Sequence, residues 1–204
     1  MNQKPELNVN IVIVGASTVG KTSLANQLVN NCFDEHYETT HGMDIFTYKM
    51  ELDNCNVVLT LRDTCGQEQY RSLAAQYYRE THGALVVYDI TNRDSFEYLQ
   101  DWVNDVSNYC PQGVKIVVVG NKIDLADEDL RVVSTEEGQN FAEEGKFDFF
   151  ETSAKRNIKV ESAFRDLVTK IAQSENLQYQ NKFETSTQKV VITQTTENDK
   201  KGCC

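Results

Sequence analysis

The sequence predicts an α/β fold with three layers: a mostly parallel six-stranded sheet, one antiparallel edge strand, and helices on both faces. Two observations carry this. Short β-branched runs alternate with helical periods from residue 84 onward, the pattern of strand–helix–strand crossovers. Two earlier runs, 43–52 and 56–62, are separated only by Asp53-Asn54 and its neighbours, so they must pair as an antiparallel hairpin. A third observation locates the business end of the sheet. The conspicuous polar motifs come directly after strands, and ligands of such sheets bind at the strands' carboxyl ends.

The first strand spans Asn8 to Val14, nearly continuous in Val and Ile and hence buried on both faces. It runs into Gly15-Ala-Ser17-Thr18-Val19-Gly20-Lys21-Thr22-Ser23, the G-x-x-x-x-G-K-[ST] spacing of a phosphate-binding P-loop. Glycines let successive N–H groups converge on one centre, and the following helix adds its positive end. Lys21 supplies a cation for β- and γ-phosphates, and the Thr22 hydroxyl is suited to Mg²⁺. The fold is therefore expected to be the P-loop nucleoside-triphosphatase type. Leu24, Leu28 and Val29 recur at helical spacing, and the helix is expected to end near Asn30 and Asn31.

Residues 32–42 are polar and aperiodic, expected as a long mobile loop. Asp63-Thr-Cys-Gly66-Gln67-Glu68 comes after the second hairpin strand, and a short helix is expected over 70–80. Ala84 to Asp89 reads as a strand. Asp94-x-x-Glu97 reads as a capping box opening a helix that carries Phe96, Leu99, Val103 and Val106 on one face, broken by Pro111 and Gly113. Val114 to Val119 leads into Asn121-Lys122-Ile-Asp124. Ser134-x-x-Glu137 is a second capping box. Phe147 to Phe150 is a short strand, and Val160, Phe164, Leu167 and Ile171 mark a last helix.

The chain has 204 residues, suited to one domain with an appendage. Its net charge of −11 argues against a nucleic-acid partner, which demands a basic footprint. Six cysteines without metal spacing, behind a polar residue 1–8 stretch, suit a reducing cytosolic setting, and no apolar run could span a membrane. Residues 1–8 are expected as a short extension, 9–174 as the catalytic domain, and 175–204, rich in polar residues, as a disordered tail.

Guanine presents an N1–H and an exocyclic amine on one edge, and adenine has no such pair. A carboxylate accepting both selects guanine, because the wrong base leaves it unpaired. Asp124 suits that role, with Asn121 bracing the loops and the Lys122 stem covering the base. Together these motifs resemble a small GTPase of the Ras superfamily, most like the Rab family, over about residues 9–172.

The resemblance implies that Gly15, Ser17, Thr18, Val19, Gly20, Lys21, Thr22 and Ser23 hold the phosphates. It implies that Phe33 stacks on guanine and that Thr40 joins Thr22 on Mg²⁺, with Asp63 holding the metal through water. It implies that Gly66 senses the γ-phosphate and Gln67 orients the attacking water. Asn121, Lys122 and Asp124 read the base with Ser153, Ala154 and Lys155. The Rab likeness rests on Thr40-x-Gly42-x-Asp44, Tyr77-Tyr78-Arg79, and Gly83-Ala-Leu-Val-Val-Tyr-Asp-Ile-Thr91. It also rests on Cys203-Cys204, implied to carry geranylgeranyl lipids that tether the chain to the cytoplasmic face of an intracellular membrane.

The likeness implies a GTP/GDP switch regulating vesicle traffic, monomeric and intrinsically slow. Its implied partners are an exchange factor, a GTPase-activating protein, a GDP-dissociation inhibitor, an escort protein, and effectors reading residues 33–46 and 62–78. A GTP-binding scaffold with little hydrolysis is the second reading. Five departures stand out, His41 in place of an aliphatic residue being one. Thr18 occupies a loop position that is usually glycine, and Cys65 replaces an alanine. Arg62 and Ile45 replace aromatics, which leaves Tyr78 of an expected exposed aromatic trio.

Overall fold

The structure, a computed structural model, describes residues 4–35, 40, 43–64 and 78–174, the side chains of residues 127 and 128 apart. Six strands form one sheet: β1 (Glu6–Val14), β2 (Met43–Glu51), β3 (Asn56–Thr64), β4 (Gly83–Asp89), β5 (Lys115–Asn121) and β6 (Asp148–Glu151), in the order β2-β3-β1-β4-β5-β6. Only β2 runs antiparallel to its neighbour, from Met43 opposite Thr64 to Glu51 opposite Asn56. The hairpin forces that reversal. The expected mixed sheet with an antiparallel edge is what the chain forms.

The helices are α1 (Lys21–Asn30), α2 (Arg93–Glu97), α3 (Leu99–Tyr109), α4 (Thr135–Gly145) and α5 over 160–174. Alternation along β1 splits the core in two. Val9, Ile11 and Ile13 join Leu24 and Leu28 of α1 and Phe164, Leu167 and Ile171 of α5. Val12 and Val14 face the other way, onto Leu99, Trp102, Val103 and Val106 of α3 and Ala142 of α4. Each such fully buried side chain contributes about 2 kcal/mol from apolar burial. The sheet is thus sandwiched, and its carboxyl edge is left for polar groups.

Three expectations change. β1 starts at Glu6, inside the expected 1–8 extension, because Glu6 pairs with Asn56 and Pro5 O accepts the Asn56 N–H at 2.9 Å. The box at Asp94 does not cap a helix. Instead Asn92, extended at φ −129°, accepts the Ser95 N–H, and a break at Tyr98 separates α2 from α3. Tyr78, expected exposed, is 2% exposed and stacks on Tyr109 at 6.0 Å. The capping box at Ser134 and Glu137 forms in both directions, as expected. The acidic stretch that begins at Asp124 opens within a 3₁₀ turn, Ile123–Glu128. The expected helix over 70–80 lies outside the described residues except at its end.

Candidate functional site

The carboxyl ends of four strands, β1, β3, β5 and β6, meet around one cavity of roughly 410 Å³. At the end of β1 the chain turns through Gly15, whose φ of +145° and contact with β4 admit only glycine. A Cβ there would lie 2.2 Å from Val87 O. Ser17, Thr18, Gly20, Lys21, Thr22 and Ser23 line the cavity. Val19 is buried beneath it, 1% exposed, in the core under the loop. Lys21 folds back onto the loop that precedes it, donating from Nζ to Gly15 O at 2.9 Å and Ala16 O at 2.8 Å. Its charge is thus held at the centre of the loop's curl. Thr18 takes φ +65°, left-handed backbone that a β-branched residue rarely adopts.

The register of β1 against β3 sets Asp63 opposite Ile13, beside this loop. Asp63 is fully buried, and its Oδ2 accepts a hydrogen bond from the Thr22 hydroxyl. The Thr22 and Thr40 hydroxyls lie 3.0 Å apart. Asp63 Oδ1 has no hydrogen-bond partner among the described residues. Burial raises the Asp63 carboxyl to about 6, against the opposing pull of the Thr22 hydroxyl and the Lys21 charge. A buried carboxylate with a free oxygen beside two hydroxyls is a hard-oxygen donor set, and it fits Mg²⁺. Among the described residues no cluster of three His, Cys, Asp or Glu offers an alternative metal site.

The opposite end of the cavity is built on β5 and β6. Asn121, 1% exposed, ties three segments together. Its Nδ2 donates to Val19 O at 2.9 Å, while Oδ1 accepts from Thr152 Oγ1 at 3.1 Å and Ala154 N at 3.3 Å. Gly20 makes this possible, since a Cβ there would sit 2.3 Å from Asn121 Nδ2. Asp124 is 6% exposed, with Oδ1 accepting the Ser153 hydroxyl at 2.5 Å. Lys122 pairs through Nζ with Asp89 at 2.7 Å. Phe33, Lys122, Asp124, Ala154 and Lys155 all line the cavity, and Lys155 bridges to Glu35 at 2.8 Å across its mouth.

The structure therefore brings together every described residue that the sequence singled out: 15, 17–23, 33, 40, 63, 121, 122, 124 and 153–155. Gly66, Gln67, Cys203 and Cys204 lie outside the described residues, as do Cys65 and His41. Two participants were missed. Thr152 braces Asn121, and Asp89 holds Lys122. Asp89 carried a readable signal, an acidic residue at the carboxyl end of a buried strand.

A family model described as Ras family matches residues 10–173, most of the chain. The chain belongs to the Ras family. Among similar proteins, the Ras-related protein Rab-3B of Homo sapiens is 42% identical over 161 residues, 79% of this chain and 73% of the relative. The Ras-related protein Rab-11C of Dictyostelium discoideum is 41% identical over 169 residues, 83% of this chain and 75% of the relative. The Ras-related protein Rab-15 of Rattus norvegicus is 37% identical over 164 residues, 80% and 76% respectively. The chain is accordingly a Rab-like small GTPase, and the strand-end cavity is its candidate guanine-nucleotide site. No helix among the described residues is long and apolar enough to cross a membrane.

Proposed function

We propose that this Rab-like GTPase is a molecular switch that binds GTP, hydrolyses it with Mg²⁺, and regulates vesicle-mediated membrane traffic through GTP-dependent effectors. The observation that carries the reading is the polarity of one cavity. Its Lys21–Thr22–Asp63 end matches a phosphate with its metal, and its Asp124–Ser153 end matches a guanine edge.

The loop residues 15–23 hold the phosphates, Lys21 countering their charge. Thr22, Thr40 and Asp63 would hold Mg²⁺, which would supply positive charge against the negative charge that develops on the phosphates during cleavage. Asp124, kept in place by the Ser153 hydroxyl, accepts the guanine N1–H and amine. Phe33 and the stems of Lys122 and Lys155 flank the base. Asn121 fixes the distance between the two ends by binding Val19 O on one side and Thr152 and Ala154 on the other. The Gly66 amide contacts the γ-phosphate, and Gln67 orients water for in-line attack, without titrating. Loss of the γ-phosphate releases the segments around Thr40 and Gly66, and partners read that change.

The domain assigned to this chemistry is 9–174, extended to Glu6 by β1. Lipids on Cys203 and Cys204 supply the membrane tether, and the switch calls for the effector, exchange, activating, dissociation-inhibitor and escort partners. Single-turnover hydrolysis tests the reading. GTP, and not ATP, is expected to be bound and cleaved, with Gln67→Leu slowing cleavage while leaving binding. Cleavage that remains absent with an activating protein added sinks the switch and leaves a GTP-binding scaffold. Intact mass after expression in a prenylating host tests the two cysteines.

A further inference from the structure

The geometry points to Asp89 as a positioning residue for nucleotide retention, acting through Lys122; this rests on the guanine-site reading above. Asp89 ends β4 and lies opposite Asn121 in register, so its carboxylate sits beside the 121–124 loop. Its side chain is only 8% exposed, and it does not line the cavity. It reaches the nucleotide only through another residue.

Both carboxylate oxygens are engaged. Oδ2 pairs with Lys122 Nζ at 2.7 Å. Oδ1 accepts from Thr91 N at 2.8 Å and Thr91 Oγ1 at 2.7 Å. The backbone beneath is pinned as well, because Asp89 N donates to Ser95 Oγ at 3.0 Å and the Ser95 hydroxyl donates to Asn92 O at 2.7 Å. A carboxylate held on both oxygens cannot rotate, so the ammonium that it pairs with has one address. Lys122 itself stands at φ +70°, opening the 3₁₀ turn that carries Asp124.

A free lysine chain surrenders much rotamer freedom when it is laid along a ligand, and prior immobilisation removes that cost from the binding step. Asp89 and Thr91 supply the immobilisation. The ammonium is fixed from outside the cavity, and the aliphatic stem is left as the cavity wall. The saved ordering cost appears as tighter binding, which among variants of one site is read mainly in the release rate.

Dissociation of a fluorescent GDP, chased by excess GDP at fixed Mg²⁺, tests this on the full chain. Asp89→Asn is expected to accelerate release about tenfold, the worth of one charge-assisted bond from a buried carboxylate. Lys122→Met, which keeps the stem, is expected to accelerate it as well. The deciding measurement is the double variant: with methionine at 122, Asp89→Asn is expected to add nothing. A purely structural carboxylate would add its effect in either background, and additivity overturns the proposal. Fast release from Lys122→Met with unchanged release from Asp89→Asn overturns it too, and leaves the guanine site intact. Unchanged release from Lys122→Met overturns both. Thr91→Val gives the same test if Asp89→Asn fails to fold. Faster release that disappears in the methionine background supports the positioning role, and unchanged release refutes it.

Discussion

Replacing Thr18 by glycine removes a side chain from a place where the backbone resists it. At φ +65° the Cβ of an L-residue crowds its own carbonyl, a cost of about 1–2 kcal/mol, and β-branching puts Thr18 toward the upper end. The side chain is exposed at the cavity rim, so its deletion opens no core void. Glycine gives back part of the gain through the greater freedom of its unfolded chain, about 0.4–1 kcal/mol. The difference is a net stabilisation of about 0.5–1 kcal/mol. In a domain of this size that raises Tm by roughly 1–4 °C. Urea denaturation and thermal melts at saturating GDP and fixed Mg²⁺ measure it, and Thr18→Ala provides the comparison. Alanine shares the left-handed strain without the branch, so it belongs between threonine and glycine. A Thr18→Gly protein less stable than the parent would refute the reasoning, because strain relief is the only term that favours glycine here.

Gly15→Ala, by contrast, drives a Cβ to 2.2 Å from Val87 O in a neighbouring strand, and should abolish soluble folded protein as judged by circular dichroism. Tyr88→Phe removes a buried hydroxyl that has no hydrogen-bond partner among the described residues, and should leave stability unchanged or raise it by about 1 kcal/mol in urea melts. Glu137 is held down at about 2 by the Arg93 guanidinium and by the Ser134 amide and hydroxyl. Its depressed carboxyl contributes stability at pH above 4.5 that is lost as pH falls toward 2. Arg93→Ala should therefore raise the Glu137 titration seen by NMR and move the acid-unfolding midpoint upward. Cys110, pushed up to about 12 by burial, should resist alkylation at pH 8 while exposed Cys32 reacts in native protein.

The sequence alone determined the layered sheet, since strand periodicity, the short hairpin connection and P-loop spacing are local properties. It also determined the residue types of the nucleotide site, because each motif is contiguous and sits at or just past a strand end. The boxes at Asp94 and Ser134 mark where local pattern stops deciding. Both satisfy the same four-residue rule, yet only Ser134 caps. Near Asp94 the turn is set by Asn92 and Ser95, which bind back to the end of β4, a competition that depends on where β4 lies.

Tertiary structure decided three further things. It buried Tyr78 against Tyr109, residues 31 positions apart that meet only when α3 packs on the sheet. It made Asn121 a brace, because Val19, Thr152 and Ala154 converge on it only once β1, β5 and β6 lie in one sheet. And it recruited Asp89, which shares no motif with Lys122 and sits 33 residues before it; the two strand ends meet through parallel register alone. Motifs name the groups that touch a ligand. The sheet's register chooses the groups that hold them still.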